Sequence, residues 1–192
     1  MAIAVAATVS VLAAVLCTAM VTDVPWLGLR LAPDGQGPAA VVAAVHPGSP
    51  AAQAGLRTGA HVVRVGGQPL SAADLLDTWP QVDAFLTRQT ALRTALDAPR
   101  LVVRVRDAAG TERDVAIEPR ATRPLDALPL AYWCQLLFGM IGCVTGTWLW
   151  ALRRGDWGAR AYAATGVRFL VFAYAAAVYS SRELALDGVV FR

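Results

Sequence analysis

The stretch VHPGSPAAQAGLRTGAHVVRVGGQPL, residues 45–70, decides the fold of the middle of this chain. Ser49 is placed to cap a short helix over SPAAQAGL (49–56). Pro50 takes its first position, where no N–H is needed, and Gly55 supplies the left-handed end. HVVRV (61–65) then reads as a strand that stops at Gly66-Gly67, a pair suited to the left-handed residues of a tight turn.

Working outward, WLGLRLA (26–32) and AAVVAAV (39–45) read as two more strands. Downstream, Ser71 followed by Asp74 is a capping-box variant that opens a helical stretch. Pro80 restarts that stretch, and Val82, Phe85, Leu86, Gln89, Leu92 and Leu96 fall at helical spacing, giving an amphipathic face. LVVRVRD (101–107) and TERDVAIEP (111–119) flank Ala108-Ala109-Gly110 and read as a closing hairpin. Strands on both sides of two helices make a compact α+β unit of about 100 residues, long enough for one small core.

The rest of the chain is of another kind. Of 192 residues, 56% are hydrophobic and 16% charged, too apolar for an ordinary soluble domain. All 17 basic residues are Arg, set against 14 acids, and the resulting charge of +3 gives no basic surface for nucleic acid. Residues 1–22 carry no charge and are long enough to cross hydrocarbon. They are expected to be a signal anchor; a cleaved signal peptide is the alternative, but it wants a positive leading region that is absent. A second span is expected over 128–152, bounded by Tyr132 and Trp133 at one end and Trp148 and Trp150 at the other. A third is expected over 161–180, with an Arg-rich loop at 153–160 between them and a stub at 181–192. Positive charge in that loop places it in the cytoplasm, so the domain at 24–122 and the final stub are expected on the extracytoplasmic side.

Catalytic chemistry is not encoded in any recognisable constellation. The only histidines, His46 and His61, have no Ser in a nucleophile setting beside them, and there is no HExxH, Walker loop or dinucleotide fingerprint. Cys17, Cys134 and Cys143 lie in apolar runs at no zinc-ligand spacing. No cofactor and no metal is expected. Within the spans, Gly142 and Gly146 form a GxxxG, extended backward by Gly139, that permits close helix approach and allows a homodimer. Arg168 interrupts the third apolar run. It either snorkels to lipid headgroups or faces other helices, where its acidic partner has to come from outside the spans.

The words of the middle segment resemble a bacterial PDZ domain of the HtrA type, most closely at Trp26–Leu29, at 45–70 and in the last hairpin, with Ala60 departing from the Asp usual there. The resemblance implies a small β-sandwich or barrel with two helices, here inserted between transmembrane helices. It also implies that Leu27, Gly28 and Leu29 turn backbone N–H groups toward the C-terminal carboxylate of a peptide or protein. The peptide is then expected to add as a strand beside Arg30, Leu31 and Ala32, against Val82, Phe85 and Leu86. Such domains often accompany a trypsin-like protease or an intramembrane metalloprotease, and the residues of neither are present. In layout the chain resembles the N-terminal sensing region of competence-type membrane histidine kinases. That implies a sensory input module in a bacterial cytoplasmic membrane, with membrane lipid and a peptide terminus as partners and kinase activity only in a longer parent. A protease scaffold or adaptor and a purely architectural membrane protein are the alternatives.

Overall fold

The computed structural model describes residues 1–33, 40–70, 79–107 and 110–184, with side chains on the long domain helix described at Asp83, at Thr87 and from Thr90 onward. Two compact units result, one built from Met1–Asp23 with Pro124–Arg182 and the other from Val24–Arg123 with the segment beginning at Glu183.

The second unit is a sheet with helices. Strands β1 (Leu29–Pro33), β2 (Ala40–Val45), β3 (His61–Val65), β5 (Leu101–Arg106) and β6 (Glu112–Ile117) run antiparallel in the order β1-β2-β3-β5-β6, and β4 (Gln68–Pro69) pairs back on β3. The β3–β4 turn is Gly66-Gly67 at φ +56° and +80°, as the sequence predicts. Gly66 has a second reason to lack a side chain, since a Cβ there would run into the Ala95 methyl. On β5, Leu101, Val103 and Val105 are buried, while Arg104 and Arg106 pair on the outside with Asp114 and Glu112 directly opposite on β6. β3 breaks this alternation by burying Val62 and Val65, three apart. The cause is a register shift against β5 between Val62 and Arg64, which adds one residue and returns Val65 to the core face.

Helix α2 (Pro50–Gln53) has the expected chemistry: the buried Ser49 accepts from the Ala52 N–H, Pro50 occupies the first position and Gly55 sits at φ +77°. Helix α3 (Trp79–Leu96) ends near the predicted residue. The Ser71–Asp74 capping box and the Ala108-Ala109 part of the hairpin turn lie outside the described residues. At the domain's two ends, Trp26 and Arg120 exchange both backbone hydrogen bonds, at 2.8 and 2.9 Å, and the Arg120 guanidinium lies 5.4 Å from the Trp26 ring centroid.

The first unit consists of α1 (Ala2–Thr22), α4 (Leu130–Leu152) and α5 (Trp157–Ser180), each long and apolar enough to cross a membrane. α5 starts four residues before the expected Ala161 because Asp156 caps it, accepting the Gly158 N–H at 2.9 Å. The connecting loop is therefore Arg153–Asp156 rather than 153–160, and Arg160 rides on the helix with its guanidinium donating to the Arg154 carbonyl. Polar contacts join the helices. The Tyr174 hydroxyl donates to the Ser10 carbonyl at 2.9 Å, and the Thr18 and Tyr132 hydroxyls meet at 2.9 Å.

Gly139, Gly142 and Gly146 all face α5: added Cβ atoms would meet Tyr174 and Ala173, the Phe169 ring, and the Ala163 and Tyr162 backbone respectively. The tightest crossing involves Gly166, not singled out in the sequence, where a Cβ would lie 2.6 Å from the Gly142 carbonyl oxygen. Arg168 is exposed along α5.

Candidate functional site

Between the Trp26 bridge and the start of β1, the chain passes through Leu27 and Gly28 without joining the sheet. The expected strand over 26–32 thus begins only at Leu29, because Gly28 at φ +80° turns the backbone out of extended geometry. No other residue fits here. A Cβ on Gly28 would collide with the side chain of Ser49, which is itself buried as the cap of α2.

The carbonyls of this loop are tied down: Leu27 C=O accepts from the Ala51 N–H at 3.0 Å and Gly28 C=O from the His46 N–H at 2.9 Å. With both carbonyls anchored to α2 and to the end of β2, the N–H groups of three successive residues are turned to one point. A carboxylate occupies that point. Glu183 Oε2 accepts from Leu27 N–H at 2.7 Å, and its Oε1 accepts from Gly28 N–H at 2.5 Å and Leu29 N–H at 3.2 Å. The loop is an anion nest of backbone donors, in which the dipoles of adjacent peptides converge and no side chain is required.

Burial is the largest influence on the Glu183 carboxyl and pushes its pKa above the ordinary range; the three N–H groups and the charge of Arg123 oppose the rise. Arg123 is lowered by its own burial and partly restored by the Glu183 charge. Leu184, the next residue, is 5% exposed and belongs to the same apolar cluster as Leu27, Leu29, Leu31 and Leu92. Glu183 and Leu184, expected as part of a stub outside the domain, therefore complete its loop and its core. Their role has no local signature in the sequence; an acid followed by Leu in an apolar tail is common.

Of the groove residues expected from the sequence, Arg30 is exposed on β1, Ala32 is half-buried and Leu31 lies in the core. Among the described residues β1 is a sheet edge, so one side of its backbone has no strand partner there. It also carries a bulge against β2 between Arg30 and Leu31. Val82, Phe85 and Leu86 fall on α3, but their side chains lie outside the described residues.

A family model described as a PDZ domain matches residues 41–79. No curated protein matches the chain. Among solved structures, it is similar to the HtrA-type protease AlgW with decapeptide, at 22% identity and TM-score 0.37, over 52% of this chain and 30% of that one. It is also similar to the HtrA3 PDZ domain bound to the phage-derived ligand FGRWV, at 22% identity and TM-score 0.34, over 50% and 85% of the two chains. A third similarity is to the PDZ domain of EpsC from Vibrio cholerae, at 19% identity and TM-score 0.31, over 48% and 95%. The chain thus spans under a third of the length of the whole AlgW protease. With its antiparallel sheet, its two helices and the family match over β2 to α3, the segment between the first two long helices is a PDZ domain of the α+β class.

Proposed function

We propose that this chain is a membrane-anchored receptor whose PDZ domain holds the free C-terminus of a peptide or protein, on the extracytoplasmic side of a bacterial cytoplasmic membrane. One observation carries the reading: the N–H groups of Leu27, Gly28 and Leu29 already converge on a single carboxylate, at 2.7, 2.5 and 3.2 Å. A terminal carboxylate presents the same two oxygens. The β1 edge, without a strand partner among the described residues, then offers main-chain donors and acceptors to the residues that precede the terminus.

Chain parity supports the membrane part. If α1, α4 and α5 each cross the bilayer, the domain and the residues after Ser180 emerge on one side, which the contact of Glu183 with Leu27 requires. Arg153 and Arg154 in the α4–α5 loop favour the cytoplasm for the other side. The layout of an anchor, an external PDZ domain and further spans supports a sensory input role, with a signalling histidine kinase as the output in a longer parent or a partner chain.

The test is a titration of the full chain in lipid nanodiscs with fluorescein-labelled decapeptides ending in single aliphatic or aromatic residues, each with a free or an amidated C-terminus. Saturable binding of free-acid peptides, weakened about tenfold or more by amidation as expected for loss of charge-assisted hydrogen bonds, supports the proposal. Equal affinity for acid and amide forms refutes it.

A further inference from the structure

We propose that Glu183 and Leu184 are an internal stand-in for a peptide terminus, so that the carboxylate loop of the resting chain is self-occupied and an outside terminus binds by displacing it. This rests on the reading that the loop takes a free terminal carboxylate.

The geometry supplies the two features that such a ligand presents. The Glu183 carboxylate takes every N–H donor of the Leu27–Leu29 loop across 154 to 156 residues of sequence. Leu184 places an aliphatic side chain in the cluster that contains Leu27, Leu29 and Leu31. A terminal residue joins its carboxylate and its side chain on one Cα; here two adjacent residues divide those parts between them, which lets the chain continue past the site. With all three donors committed, a second carboxylate has nowhere to bind, so the two occupants exclude each other.

The internal occupant also has the advantage of connection. Its docking is intramolecular and pays no translational entropy, so modest contacts hold it against dilute competitors. A terminus must therefore exceed a threshold of concentration or affinity before the loop changes hands. Glu183 follows the last residue of α5 by three positions. Displacement thus frees the chain immediately beyond the third helix, which gives ligand occupancy a covalent route to the spans.

The experiment uses the full chain in nanodiscs, wild type and Glu183→Ala. Without added peptide, amide hydrogen exchange at Leu27–Leu29 is expected to lose about tenfold or more of its protection in Glu183→Ala, the factor for a loop that is self-occupied about nine-tenths of the time. Exchange at Val103 and Val105 on β5 reads whether the domain stays folded, and is expected to stay unchanged. A labelled decapeptide ending in Leu with a free carboxylate is then expected to bind Glu183→Ala about tenfold or more tightly than wild type. Unchanged protection at Leu27–Leu29 overturns the internal occupant, as does equal peptide affinity for the two chains. Loss of protection with no binding of the peptide to either chain overturns the receptor reading of the loop, and the displacement step with it.

Discussion

Substituting Gly28→Ala places two separable burdens on the site. The residue sits at φ +80°, where an L side chain costs roughly 1–2 kcal/mol. Its new Cβ also runs into the side chain of Ser49, which is fully buried and already committed to capping α2 through the Ala52 N–H. Forcing one extra methyl into such a packed spot costs about 1–3 kcal/mol. The two together come to about 3 kcal/mol, which corresponds to a rise on the order of 100-fold in the open fraction of the domain. Amide exchange at the fully paired core of β5 reports that opening in the full chain, without a need to isolate the domain. The Ser49→Gly substitution separates the terms, because Gly still starts a helix within a few tenths of a kcal/mol of Ser. In the double variant Gly28→Ala/Ser49→Gly the collision is gone and only the backbone cost of roughly 1–2 kcal/mol remains, so protection is expected to rise about tenfold over that of Gly28→Ala, a coupling between the sites. Wild-type protection in Gly28→Ala would sink the reasoning. A double variant no more stable than Gly28→Ala would show that Ser49 is not what closes the space above the loop.

Other outcomes follow from the same geometry. Gly146→Val, whose Cβ lies 3.1 Å from the Ala163 Cα and the Tyr162 carbonyl oxygen, is expected to weaken α4–α5 packing. The loss should be about 1–3 kcal/mol, read as an earlier midpoint in SDS-driven unfolding of mixed micelles; Gly155→Val, which meets no atom within 4 Å, is the comparison, and equal midpoints would refute the seam. Because the docked Glu183 carboxyl titrates above its ordinary range, the docked state holds its proton more readily than the free segment. Docking is then fully favoured below the free value and weakens as pH rises through the docked value, with Arg123 as the facing charge that opposes the trend. The Gly28 amide shift followed by NMR checks the sign, and docking that strengthens with rising pH contradicts it. For topology, Asp97→Cys in a chain whose native cysteines are replaced should react with an impermeant maleimide outside intact cells, and Arg154→Cys should not; the reverse pattern inverts the orientation.

The parts of the fold that the sequence announces are those whose cause is local. Ser49, Pro50 and Gly55 act within one turn of each other, and Gly66-Gly67 has few conformations that connect two strands. Alternation along Leu101–Arg106 needs only its own period to show which face is inward. Where a local cue is present but outweighed, the boundary slips: Asp156 is an ordinary N-cap, yet the charge of Arg160 extends the expected loop four residues past it. The strand reading from Trp26 follows the apolar run and misses that the turn at Gly28 withholds Leu27 and Gly28 from the sheet.

The occupant of the site lies beyond such cues for a physical reason. An anion nest made of main-chain N–H groups selects for charge and shape but asks nothing of the side chains around it, so no complementary motif marks its ligand. Glu183 is brought to Leu27 by the course of the whole chain between them, and its carboxylate is chemically the same as any other among the 14 acids. The donor half of the site is therefore written in a few neighbouring residues, and the acceptor half is set only by tertiary placement. That division also decides how the pair can be pulled apart. Changing Gly28 damages the nest for every carboxylate, internal or external, while changing Glu183 removes one occupant and leaves the nest intact. A variant series that loses binding in the first class and gains it in the second distinguishes a loop that is blocked from a loop that is broken.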